Sequence, residues 1–153
     1  GMMYSHMFAL YYILKKINPK LVVESGIYRG QSTWLIEKTL PKSKILSLDL
    51  YLNKRIYISK SKNVTYSSKD FKFQNFKNIP KNSLVFFDDH QNSIERIMQS
   101  YFFGIKHLVF EDNYRPNDKK SDMYSLKSIF SDAGFIYNFN WRSNLRLLIK
   151  FIE

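Results

Sequence analysis

The stretch Leu21-Val22-Val23-Glu24-Ser25-Gly26-Ile27-Tyr28-Arg29-Gly30-Gln31-Ser32 decides the fold. Leu21 to Val23 form a short apolar run of the kind that parallel strands show when both faces are covered. Glu24 closes the run with a carboxylate, Gly26 and Gly30 let the backbone turn tightly, and Gln31-Ser32-Thr33 opens a helix whose first N–H groups are free to meet a ligand. The stretch therefore predicts a strand, a glycine-punctuated cofactor loop and a helix start, with Glu24, Gly26, Tyr28, Gly30 and Ser32 as candidate contacts.

The pattern repeats outward. Met7 to Ile17 is apolar with a helical tendency, and Asn18-Pro19 stops it just before the first strand. Trp34, Leu35, Ile36 and Leu40 predict a short amphipathic helix ended by Pro41. Lys44 to Leu50 reads as a second strand, and its Asp49 lies nineteen residues after Gly30, the distance at which dinucleotide-type folds place a ribose-binding carboxylate. Asn63 to Ser67 reads as a third strand, and Asp70 just beyond it is placed to approach an adenine edge. Ser83 to Phe87 is a buried strand that runs into Asp88-Asp89-His90. Ser93 to Phe102 is a helix stopped by Gly104, and the strand from His107 to Phe110 ends in Glu111-Asp112-Asn113. His107 stands at the end of that strand away from its acids and is read as structural. Beyond a polar connection at residues 115–120 come a helix at about 121–131 and two strands, 134–140 and 145–151. The short 141–144 turn between them predicts an antiparallel hairpin.

Alternating strands and helices imply a mostly parallel sheet, and such sheets bind ligands at the carboxyl ends of their strands. Glu24, Asp49, Asp70, Asp88, Asp89 and Glu111 to Asn113 all stand at such ends. A chain of 153 residues suits one domain, 2–153, with Gly1 read as an expression scar. The 44% hydrophobic and 24% charged content is that of a globular protein, and no stretch has the apolar length of a membrane span, so the expectation is cytoplasmic. The absence of cysteine removes disulfides, thiolate nucleophiles and cysteine zinc sites, so a metal here takes oxygen or histidine ligands. The charge of +11 and the lysine-aromatic interleaving from Tyr51 to Lys81 suit a polyanion or an acidic substrate, and equally suit drift in composition; a helix, the third strand and their solvated faces explain that segment as well.

On these residues the chain resembles, over nearly its whole length, the class I S-adenosylmethionine-dependent methyltransferases. Glu24-Ser25-Gly26-Ile27-Tyr28-Arg29-Gly30 is similar to that family's acidic-x-Gly-x-x-x-Gly loop, and Asp49 and the C-terminal hairpin continue the likeness. Tyr28 stands where a nicotinamide loop needs its middle glycine, and a P-loop is excluded by the missing Gly-Lys-Ser/Thr ending. The resemblance implies an α/β, Rossmann-like, mostly parallel sheet of about seven strands with helices on both faces.

Within the superfamily, the strand tips resemble the metal-dependent O-methyltransferases and the cephalosporin hydroxylase-like group. That likeness implies S-adenosylmethionine held by the loop, Asp49, Asp70 and Asp88, and a divalent ion, Mg²⁺ first, on Asp88 or Asp89 with Asp112 and Asn113, Glu111 being an alternative ligand. It also implies methyl transfer to a small hydroxylated acceptor, with His90 as base beside Asp89. The chain has little beyond the bare fold to cap an acceptor, which leaves room for a cap from a second subunit in a homo-oligomer. Two readings compete with it: a noncatalytic module that holds RNA or an acidic glycan on the basic, aromatic middle, and a glycosyltransferase with Asp88-Asp89 as its metal pair.

Overall fold

A computed structural model describes residues 2–111. Its elements follow in the order α1 (Tyr4–Ile17), β1 (Leu21–Ser25), α2 (Gln31–Thr39), β2 (Lys44–Leu48), β3 (Val64–Ser67), β4 (Ser83–Phe87), α3 (Ser93–Phe102) and β5 (His107–Phe110). The expected helix at 121–131 and the two strands of the expected hairpin lie outside the described residues, as do Asp112 and Asn113. Within them the sheet has five strands, all parallel, in the order β3-β2-β1-β4-β5. The strand order reverses at β1, so the carboxyl ends of β1 and β4 flank the crevice where such sheets take ligands.

The side-chain period of two divides the core between the two faces of the sheet. Val22, Ile45, Leu84 and Phe86 point to one face, where Leu10 and Leu14 of α1 and Leu35 and Ile36 of α2 cover them. Val23, Leu48, Val85 and Phe87 point to the other, against Phe71, Phe76 and Ile105. On that second face Phe71 meets Phe76, Phe87 and Phe103 at centroid distances of 5.1, 5.0 and 5.7 Å, an aromatic cluster with edge-on and tilted geometry.

Local chemistry sets the element ends. Asn18 adopts a left-handed φ of 46° and returns its N–H to the Leu14 carbonyl at 2.8 Å, and Pro19 follows, so α1 cannot continue. The Asn92 side chain accepts from the N–H groups of Ile94 and Glu95 to open α3, and Gly104, at φ 74°, follows its end. The helix expected within the basic segment is absent. Only single 3₁₀ turns form there, at Leu52–Lys54 and Phe71–Phe73. Ser59, Ser61, Asp70 and Asn75 each accept from the backbone N–H two residues on, and such local bonds compete with a helix.

Candidate cofactor site

The carboxyl ends of β1, β2, β3 and β4 surround a cavity of about 990 Å³, at the upper end of the range for small-molecule sites. Of the residues expected from sequence, Gly26, Tyr28, Ser32, Asp49, Asp70, Asp88, Asp89, His90 and Glu111 line it. Glu24 and Gly30 do not.

The glycine turn is shaped by its neighbours. Gly26 has φ 96°, and a Cβ there would stand 2.1 Å from the Asp88 carbonyl oxygen; at Gly30, with φ 89°, it would stand 2.7 Å from that of Tyr57. The two glycines therefore admit the β4 tip and the Tyr57 backbone to the loop. Asp49 organises the loop from the β2 side. Its Oδ2 accepts the N–H groups of Ile27 at 2.9 Å and Tyr28 at 2.8 Å, and its Oδ1 accepts that of Tyr51 at 2.7 Å. Burial opposes the charge, yet these donors hold the carboxyl below its ordinary range. A carboxylate offers about four lone-pair positions, so one on Oδ1 remains for a ribose hydroxyl.

Glu24 turns the other way. It is fully buried on the α1/α2 face, where its Oε2 accepts the hydroxyls of Thr33 and Ser47, both at 2.6 Å. Burial pushes its pKa up, against the hydroxyls of Ser32, Ser47 and Thr33. Its Oε1 is buried with no hydrogen-bond partner within bonding geometry among the described residues. The open position on Asp49 and the narrow glycine turn fit a cofactor that brings hydroxyl donors.

The β4 tip is committed internally through a residue that the sequence reading missed. Arg96 of α3 is 3% exposed, and its guanidinium clamps Asp70 through Nη1–Oδ1 at 2.9 Å and Nη2–Oδ2 at 2.8 Å. It also donates to Asp89 Oδ2 from Nε at 3.0 Å and to Gln99 Oε1 from Nη1 at 2.8 Å. Ser25 Oγ donates to the same Asp89 oxygen at 2.6 Å. The guanidinium beside Asp70 holds that carboxyl below its ordinary range. Asp70 is thus braced to α3 through both carboxylate oxygens. The sequence signal for Arg96 was its spacing: Ser93, Arg96 and Ser100 fall on one helical face and all are buried, the two serines leaving room for a long side chain.

His6, also missed, joins the opposite wall, where Glu111 Oε1 and His6 Nδ1 are 2.7 Å apart. No feature of the sequence links residues 105 positions apart. His90 is exposed at the cavity rim with φ 52°. Among the described residues no three histidine, aspartate or glutamate side chains converge as a metal site. Asp89 is engaged by Arg96 and Ser25, so the expected ion has no assembled ligand set here, and Asp112 and Asn113 lie outside the described residues.

By sequence, no protein-family profile and no curated protein matches the chain. By structure, a form of CmcI solved with S-adenosylhomocysteine (SAH) superposes with a TM-score of 0.65 at 15% identity, covering 73% of this chain and 62% of that one. A form of CmcI with Mg and SAM gives a TM-score of 0.56 at 16% identity, covering 97% and 58%. The chain shares the fold of CmcI. A Klebsiella pneumoniae protein assigned as an O-methyltransferase agrees, with a TM-score of 0.57 at 14% identity over 99% of this chain and 68% of its own. The chain spans about three-fifths of the length of these CmcI chains. Among the described residues no helix is long and apolar enough to cross a membrane.

Proposed function

We propose that the chain binds S-adenosylmethionine in the cavity beside Gly26 and transfers its methyl group to the oxygen of a small hydroxylated acceptor. The observation that carries this reading is the Asp49 carboxylate. It ties the glycine turn to the β2 tip and keeps one acceptor position open, in a fold shared with structures solved with SAH and with SAM. When bound, the cofactor supplies an electrophilic methyl group. The protein's own part is position: Gly26 and Ser32 shape the floor, Asp49 takes a ribose hydroxyl, and the buried Glu24 holds the strand beneath the loop through Thr33 and Ser47. His90, exposed on the rim, is the residue proposed to receive the acceptor's proton.

Metal assistance is proposed in reduced form. Asp89 is withdrawn from the ligand set by Arg96, which leaves Asp88 with Asp112 and Asn113. No catalytic step is assigned to a metal. Isothermal calorimetry with SAH, with and without Mg²⁺, tests both parts. One-to-one binding is expected, and a tighter SAH complex in Mg²⁺ would support the ion. Absence of heat at millimolar SAH overturns the cofactor reading.

A further inference from the structure

The β2–β3 side of the cavity carries a ledge of exposed rings and cations to which the function above assigns no role. Tyr28 is 50% exposed, with the Arg29 guanidinium 5.3 Å from its ring centroid, and Tyr51 is 61% exposed, with Lys54 Nζ at 4.7 Å. Phe73, 69% exposed, has Lys72 Nζ at 5.0 Å and lines an adjoining depression of about 430 Å³ with Leu50 and Lys69.

The ledge is held in shape by its backbone. Asp49 binds the N–H groups of both Tyr28 and Tyr51, and the Arg29 carbonyl accepts those of Ile56 at 3.0 Å and Tyr57 at 2.9 Å. The Tyr57 hydroxyl, pushed up to about 12 by its 2.6 Å bond to Glu37 and by burial, fastens the segment to α2. The backbone that carries Tyr28 and Tyr51 is thus held before any ligand arrives, which lowers the entropy cost of binding.

Charge selects the ligand. Arg29, Lys54 and Lys69 line this side of the cavity and Lys72 stands beside Phe73, four cations against the two carboxylates Asp49 and Asp70, of which Asp70 is paired with Arg96. The opposite wall holds Asp88, Asp89 and Glu111, so an anion is directed to the ledge. Cations alternating with exposed rings meet a ligand whose phosphates and planar bases also alternate. The geometry points to a single-stranded nucleic acid, with bases on Tyr28, Tyr51 and Phe73 and phosphates at Arg29, Lys54 and Lys69. This binding does not depend on methyl transfer.

The test is fluorescence anisotropy with a labelled oligouridylate of about eight nucleotides, within the length one such surface accommodates. Three phosphate contacts predict that affinity falls about eighteenfold between roughly 50 and 200 mM salt. Tyr51→Ala, Tyr28→Asn and Phe73→Ala should each weaken binding about tenfold, while their melting curves report that they fold. Asparagine suits position 28 because it tolerates the positive φ of 48°. If Tyr28→Asn unfolds, the exposed Tyr51 and Phe73 still decide the matter. No binding at the lower salt overturns the proposal. So does equal affinity for duplex RNA, or tighter binding of a heparin fragment with no response to the ring substitutions, which would mark an acidic-glycan surface.

Discussion

Replacing Arg96 by Met removes one guanidinium and leaves two carboxylates without their cation. Asp70 and Asp89 side chains are 21% and 13% exposed, and the arginine contributes three hydrogen bonds to them and a further ion-pair contact to Asp89. Breaking a buried pair from one side costs about 3–5 kcal/mol. The partial exposure of Asp70 lets water screen it, so we place Arg96→Met near the lower end, about 3 kcal/mol at pH 7. For a chain of this size that corresponds to a fall in melting temperature of roughly 10 °C.

The pH dependence carries a sign. Asp70 is held below its ordinary range in the folded state by Arg96, so its contribution is present above the unfolded carboxylate value and is lost as pH falls through the lower folded value. The variant lacks that contribution at every pH, so the gap between the two proteins should close as pH drops from 5 toward 3. Urea unfolding of both proteins across that range measures it. A loss under 1 kcal/mol at pH 7, or a gap that stays constant down to pH 3, would refute the clamp.

Other perturbations test the loop. Gly26→Ala forces a Cβ onto the Asp88 carbonyl at a φ of 96° and should cost at least about 2 kcal/mol in thermal unfolding, with SAH binding lost. Asp49→Ala leaves the N–H groups of Ile27, Tyr28 and Tyr51 without their acceptor and should weaken SAH binding at least about tenfold by calorimetry. Glu24→Gln tests the buried carboxyl: because the folded pKa is raised, the native protein should lose stability as pH rises from the unfolded value through the folded one. The amide variant should not, and parallel curves for the two proteins from pH 4 to 8 would contradict this.

Much of the sheet was legible because β1 and β4 are apolar runs buried on both faces, and because Asn18-Pro19 and Gly104 mark helix ends. Asp49 was legible from its spacing to the glycine loop. The inward turn of Glu24 could have been found: it sits two residues beyond Val22, as Ser47 sits two beyond Ile45, so strand alternation puts both on the α1/α2 face. The clamp that occupies Asp89 was hidden because its charge arrives from α3 and its second carboxylate from the far side of β3, contacts set by tertiary packing. The His6–Glu111 contact has no local signature at all. In the basic segment, composition could not separate a helix from turns, since the deciding bonds are short serine, asparagine and aspartate contacts to nearby N–H groups.

The central claim, a cofactor held between the glycine turn and Asp49, is tested most directly by solving the structure of the protein soaked with SAH. The account predicts nucleoside density beside Gly26, with a ribose hydroxyl within hydrogen-bond distance of Asp49 Oδ1. Density at another site, or an empty crevice at saturating SAH, would contradict it.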